Sequence, residues 1–485
     1  MGTYSVPKDI RDLKPKGTMV KVIKGGYYVY TCSNQKGEDG KWHLKMGGLI
    51  GSIKEGVGFI PNDNFCSAEK LTVVEYGQYA IAYEASKGVL EELKVFFNPL
   101  DATRIYALAL LYMVNGYTGL KNISVLFGQS SLSVRYPSMS MSYDSLSKLL
   151  DALGRREERP LRYQQHLLDN SHTIAIDGHC IESYSHENDL AQYGNKYRTT
   201  GEMQVNLMMV YDIATRRPVL SRMYPGGMVD KTSVKDLMAS FAFTGKLIIA
   251  DRGFYSLENL VLFTSGGNHY IIPLSENLLE YKAVADNLDY KRSFIYHTQK
   301  KMHPIFFWEA ETAGKDGSRV ILYKDMNRSA EEEAAFGKRI GTSKAYTPER
   351  LETLKVSFGV FVLKTSLSND TAEEIFCLYK KRWGIESYYD LVKNRDEFKA
   401  LCFSDYYMSQ GLAFIILITG QIEESFRSAC PKIQGKTPDD ILWEARGVKI
   451  KKKNNIWEAA NYSKKLIELF THFKCPIIGD LNLVT

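Results

Sequence analysis

Cysteine is scarce in this sequence and follows no pattern. Its seven residues (Cys32, Cys66, Cys180, Cys377, Cys402, Cys430 and Cys475) are odd in number and include no CxxC pair. That excludes a disulfide framework and a structural zinc ribbon, and it fits a reducing compartment. Histidine is also sparse, nine residues in all, with no HExxH, so no familiar zinc motif is present. Long apolar runs are missing as well. The longest, GLAFIILITG at 411–420, has about half the roughly 20 residues of a membrane span and reads as a buried helix. The opening stretch MGTYSVPKDIRDLKPKG lacks the apolar segment of a secretory signal, which gives a cytoplasmic expectation. Neither sign of charge dominates, with 62 basic against 56 acidic residues and a formal net charge of +6. This balance permits a nucleic-acid partner without requiring one.

What is present is a chain of 485 residues, 44% apolar and 24% charged, in the ordinary range of a soluble globular protein with a large core. At roughly 100–200 residues per domain, three or four units are expected. Residues 1–70 read as a β-rich front unit, with strands TMVKVIK, YYVYTC and KWHLKMGGLIGSI separated by Gly25-Gly26 and NQKGEDGK. Residues 71–170 read as helical, and SYDSLSKLLDALG has Ser142 or Asp144 as its cap. RREERPLR at 155–162 reads as a solvated, mixed-charge helix junction.

An α/β alternation follows at 171–275: HTIAID as a strand ending at Asp177, a hairpin from EMQVNLMMVYD to PVLSRMYPG, a helix, and KLIIAD as a strand ending at Asp251. RGFYSLENLVLFTSG reads as a helix and HYIIPL as another strand. A β-rich stretch at 276–358 interrupts the alternation, and it includes a helix from SAEEEAAFGKRI capped by Ser329. The alternation resumes at 359–430 with FGVFVLKTS and a long helix at 371–395. Residues 431–485 read as helical, with a basic cluster of Lys449, Lys451, Lys452 and Lys453.

The acids carry the functional signal. Asp177 and Asp251 close two predicted strands, and ligands of open α/β sheets bind beyond such strand ends. One isolated Asp at a strand end is more often a turn residue. On the predicted helix, Tyr379, Arg382, Glu386 and Lys393 stand at offsets of 0, 3, 7 and 14, which places them in a stripe roughly 60° wide. Spacing alone leaves open an ordinary ion-pair ladder of Arg382 and Glu386.

The stretch YKKRWGIESYYDLVK fits Y-x2-R-x3-E-x6-K without a gap, and IAIDG and IIADRGF precede it in order. In these motifs the chain resembles the insertion-sequence-4-type transposases, the DDE class with the "YREK" signature, over about residues 170–430. One departure is His179, where the family usually carries a small hydroxyl or similar residue after Asp-Gly; His179 reads as a neighbour of the site.

The resemblance implies a ribonuclease H-like mixed-sheet core in two parts, 171–275 and 359–430, around the insertion 276–358. Its flanks are the front unit, a helical stretch 71–170 that binds DNA ends, and the C-terminal segment 431–485. It implies Asp177, Asp251 and Glu386 as catalytic residues holding two Mg²⁺ ions, with Mn²⁺ as substitute. Asp177 would bridge the pair. Tyr379, Arg382 and Lys393 would contact DNA. Trp308 would stack on an unpaired base, although a hairpin Trp is more often packing.

The partners implied are double-stranded DNA at terminal inverted repeats and at the target, and a second copy of the chain on the DNA, at the nucleoid and without a membrane. Three crowded carboxylates repel, and hard cations relieve that repulsion. Two other readings stay open: a ribonuclease H-like nuclease without strand transfer, and a catalytically silent DNA-binding derivative.

Overall fold

The computed structural model describes the chain except residues 1–5, 38–39, 63–72, 157, 186, 195–200, 286–290, 299–300, 310–316, 386–399, 402–404, 454–455, 479–480, 482 and 484–485. It forms two compact units, residues 1–73 with 451–456, and residues 74–450 with 457–485.

The first unit is a four-stranded antiparallel meander of β1 (Thr18–Ile23), β2 (Gly26–Lys36), β3 (Trp42–Lys54) and β4 (Gly58–Pro61). The β1–β2 turn is Lys24-Gly25, both at positive φ (49° and 81°). This two-residue geometry matches the twist of the strands it joins. Ile10, Val29, Ile50 and Ile53 form its small core.

The second unit opens with helices α1 (Gly77–Phe96), α2 (Pro99–Asn115), α3 (Tyr143–Arg155) and α4 (Glu158–Asp169). Asn98 accepts from Asp101 N and places Pro99 at the first position of α2, where a missing N–H costs nothing. Ser142, one of the two expected caps, accepts from Ser145 N at the start of α3.

The sheet that follows is mixed. Its strands are β5 (Thr173–Ser183), β6 (Met203–Asp212), β7 (Arg217–Pro225), β8 (Leu247–Ala250), β9 (His269–Pro273), β10 (Ser293–His297), β11 (Met302–Glu309), β12 (Arg319–Asp325), β13 (Val360–Thr365) and β14 (Ala400–Leu401). They lie in the order β10-β11-β12-β13-β9-β8-β5-β6-β7, with β14 beside β5. The first three strands in sequence, β5, β6 and β7, are antiparallel, whereas β8 runs parallel to β5. The connecting helices are α5 (Asp230–Ser240), α6 (Leu257–Thr264), α7 (Met326–Gly337), α8 (Ala372–Lys380) and α9 (Tyr406–Ala429).

Alternation along the strands gives the sheet two dry faces. Ile174, Ile176, Ile248 and Ala250 pack on Val234 and Leu237 of α5 and Phe263 of α6. Ala175, Leu207 and Met209 join the larger cluster built on α1, α2 and α9. The run 411–420 is the buried middle of α9, as its composition predicts. A Cβ at Gly411 would collide with the Leu150 carbonyl, so α9 and α3 meet backbone to backbone. Among the described residues, no helix is long and apolar enough to cross a membrane.

Several local expectations need correction. The strand expected to end at Asp177 runs on to Ser183, because its antiparallel partner continues pairing to Met203. RGFYSLENLVLFTSG is a 3₁₀ turn at Arg252–Phe254 followed by α6, and Ser256 caps α6 through Asn259 N. The cap of α7 is Asp325, not Ser329. Its carboxylate accepts from Asn327 N and Arg328 N, so the helix starts three residues before Ser329.

The long helix 371–395 breaks after Lys380. Arg382 N bonds to Tyr379 O and Gly384 N to Lys381 O, and these i→i−3 bonds tighten the backbone. Helical residues resume at 383–385, and 386–395 lie outside the described residues. The lysine cluster is a strand, Lys449–Lys453, not a helix. Ile450 is fully buried there and Lys449 pairs with Glu75.

Candidate active site

The pairing of β5 with β8 matches Ile176 to Ala250. Asp177 and Asp251 are therefore the next residues on two adjacent parallel strands, which run about 4.8 Å apart. Beyond Ala250 the same edge of β5 is next paired at Glu182, by Ala400 of β14. Among the described residues, no strand pairs with the interval 177–181 on that edge, which leaves a notch there. Asp177 shares a face with Ala175, which is the face of the larger helical cluster.

Backbone amides orient both carboxylates. Asp177 Oδ1 accepts from Gly178 N at 2.9 Å, and Asp251 Oδ1 accepts from Arg252 N at 2.8 Å. Arg382 reaches the first of them, with Nη1 3.8 Å from Asp177 Oδ2. The arginine is only 7% exposed, and its guanidinium also lies 5.8 Å from the centre of the Tyr379 ring, within cation–π range. Arg382 thus reaches Asp177 from the turn that follows α8, a pairing that the sequence pattern did not predict.

A third acid, Asp230, sits at the start of α5 and was not singled out by sequence reasoning. A Cβ on Gly178 would meet Asp230 Oδ1 at 3.3 Å, and one on Gly253 would meet Oδ2 at 3.0 Å. Its carboxylate thus lies between the glycines that follow Asp177 and Asp251. The residue as a whole is exposed, yet its carboxyl turns inward. Partial burial there, and then the negative charge of Asp251, raise its pKa above the ordinary carboxylate value. In the sequence, VDKTS looks like any helix start, and only the fold shows that this start meets the ends of β5 and β8.

The other expected residues are placed as follows. Tyr379 is half-buried near the end of α8 and stacks on Phe361 with centroids 6.3 Å apart. Trp308 lies on β11 opposite Leu322 and packs against the cluster that includes Leu274, Tyr281 and Val362, separate from the clusters around the acids. His179 follows Asp177 by two positions on the same strand, and so on the same face, paired with Leu207. Glu386, Lys393 and His186 lie outside the described residues. Ile385, the residue before Glu386, is fully buried in the cluster on Asp177's face, and Gly384 packs against the Tyr211 ring of β6.

The donor set suits a hard cation. Carboxylate oxygens are the ligands Mg²⁺ prefers, and the glycines beside the two aspartates let the Asp230 carboxylate approach them. Among the described residues, no group of three or more His, Cys, Asp or Glu is arranged to hold a metal ion. Asp177 and Asp251 are the two strand-end carboxylates that the described residues bring to this edge of the sheet.

A family model described as the transposase DDE domain matches residues 170–418, just over half of the 485. The chain belongs to the transposase DDE domain family. The match takes in β5 through the first half of α9, including Asp177, Asp230, Asp251 and Arg382. Two curated relatives, the transposases for insertion sequence elements IS231E and IS231D of Bacillus thuringiensis subsp. finitimus, are 25% and 23% identical over 198 residues. Each alignment covers 38% of this chain and 41% of the relative, so the chain spans about two fifths of the length of these family members. A solved structure, the piggyBac transposase synaptic complex with hairpin DNA, matches 76% of this chain and 77% of its own at 13% identity, with a TM-score of 0.37.

Proposed function

We propose that this DDE-family chain is a DNA transposase of the insertion-sequence-4 type with a ribonuclease H-like core. In this reading it performs metal-dependent cleavage and strand transfer at the ends of an insertion sequence. The observation that carries the reading is the Ile176–Ala250 register, which makes Asp177 and Asp251 neighbours across two parallel strands.

Asp177, Asp251 and Glu386 would hold two divalent cations, Mg²⁺ or Mn²⁺. When bound, the cations supply activation of the attacking oxygen and stabilisation of the leaving oxygen. The burial of Ile385 on Asp177's face supports the assignment of Glu386. Before metal arrives, Arg382 offsets the charge of Asp177. With DNA present its guanidinium faces the phosphate as well, since Arg can grip phosphate oxygens bidentately. Tyr379 and Lys393 would flank the DNA end. The half-buried packing of Trp308 favours a structural part for it over base stacking. Duplex DNA is the substrate, and two copies of the chain act together because both ends of an element must be cut.

The test uses a supercoiled plasmid carrying the element's own ends with purified protein and Mg²⁺. Asp177→Asn and Asp251→Asn should abolish cleavage and leave DNA binding intact. A labelled 3′-hydroxyl end should be joined to a target duplex by the wild type alone. Mg²⁺-dependent cleavage persisting in Asp177→Asn would refute the reading. Cleavage without joining would leave a nuclease.

A further inference from the structure

The turn that follows Asp251 is fastened from its far end. Asp251 caps it, Phe254 N donates to Asp251 O at 3.0 Å, and Tyr255 N donates to Arg252 O at 3.2 Å. Arg252 and Gly253 are exposed, so the turn is held by the residues after them. Phe254 is buried in the cluster under α5 and α6, and its carbonyl accepts from Nδ2 of the buried Asn259 at 2.9 Å.

Tyr255 supplies a different kind of anchor. Its ring packs against two clusters, the one that holds Phe254 and the one that holds Tyr281 and Leu322. Its hydroxyl donates to Glu280 Oε2 at 3.1 Å. The other oxygen of that carboxylate accepts from Lys364 Nζ at 2.7 Å. Glu280 stands on the short helix Leu279–Ala285. Lys364 stands on β13, where it pairs with Ile272 of β9 and Val320 of β12. Lys364 is only 1% exposed, and a buried ammonium requires a counter-charge within reach. Glu280 is therefore fixed in place, and so is the point to which the Tyr255 hydroxyl is tied. Glu280 lies 25 residues from Tyr255 and 84 from Lys364, so the connection exists only in the fold.

We infer that Glu280 is a positioning residue for Asp251. Through the Tyr255 hydroxyl it holds the turn that Asp251 caps, and so sets the direction of the carboxylate expected to hold Mg²⁺. Groups that orient a metal ligand without touching the metal change affinity by about 10–100-fold when removed. Glu280 acts one step further back, through the backbone, which puts its effect at the low end of that range. The inference rests on the proposed metal site at Asp177 and Asp251.

The test measures Mg²⁺ binding to the full chain by isothermal titration calorimetry. Tyr255→Phe keeps the ring in both clusters and removes only the donor. It should bind Mg²⁺ about tenfold more weakly. Glu280→Leu/Lys364→Met exchanges the buried pair for apolar side chains, a swap that buried ion pairs often tolerate without loss of stability. It should weaken Mg²⁺ binding by the same factor. Adding Tyr255→Phe to it should cost nothing further, because both changes cut one connection. In plasmid cleavage, raising Mg²⁺ about tenfold should restore the Tyr255→Phe rate to that of the wild type. A control, Tyr163→Phe, removes another tyrosine–glutamate hydrogen bond, to Glu92 at 3.2 Å between α4 and α1, and should leave Mg²⁺ affinity unchanged.

If Tyr255→Phe binds Mg²⁺ like the wild type, the positioning role fails and the assignment of the acids stands. Equal weakening in Tyr163→Phe would trace the effect to general loosening, and would also overturn the role. A wild type that binds no Mg²⁺ would overturn the metal site and the positioning role together.

Discussion

Arg382 Nη1 stands 3.8 Å from Asp177 Oδ2, a buried cation against a carboxylate expected to hold metal. A positive charge there competes with a divalent ion. Opposite unit charges about 4 Å apart interact by about 1 kcal/mol even in bulk water, a factor of about 5 in binding. Arg382→Gln should therefore bind Mg²⁺ at least about fivefold more tightly by isothermal titration calorimetry, while cleaving DNA more slowly. Unchanged Mg²⁺ affinity would show that the pair has no electrostatic influence on the site.

Asp230 gives a prediction in pH. Its folded-state pKa is raised, first by partial burial and then by Asp251. A carboxyl raised in this way contributes stability below its unfolded pKa and loses that contribution as pH rises through the folded value. At neutral pH the ionised Asp230 therefore costs the metal-free protein stability. Asp230→Asn should raise the metal-free melting temperature at pH 7, narrow the gain on adding Mg²⁺, and leave the melting temperature at pH 3 nearly unchanged. Equal shifts at pH 7 and pH 3 would contradict the electrostatic explanation.

The contact of α9 with α3 depends on Gly411, whose Cα faces the Leu150 carbonyl with no room for a methyl group. Gly411→Ala should destabilise the second unit by about 1–3 kcal/mol, the usual cost of overpacking, despite the better helix propensity of alanine. Chemical denaturation measures this. A stabilised variant would mean that the helices can separate at little cost.

Much of this molecule was legible locally. The hairpin of β6 and β7, the short β8 and the buried run in α9 follow from alternation, turn chemistry and continuous apolar residues. The apolar strand segments that lead into Asp177 and Asp251 were legible because such a run ending in an acid is a local pattern; that the two segments pair side by side was not. What was not legible depends on distant partners. β5 outruns Asp177 because β6 keeps pairing with it, and α8 stops at Lys380 where i→i−3 bonds take over. Asp230 is silent in sequence because its meaning comes from two glycines in other segments. The lysines at 449–453 read as helical until the burial of Ile450 and the Lys449–Glu75 pair fix them in a strand.

The central claim is that Asp177 and Asp251 share bound metal. Crystals of the protein grown with Mn²⁺, measured for anomalous scattering, test it most directly. The account predicts an anomalous peak at the notch within direct coordination distance of both carboxylates, about 2.0–2.6 Å for oxygen ligands of hard cations. A peak that touches only one of the two aspartates, or no peak at the notch at saturating Mn²⁺, would contradict it.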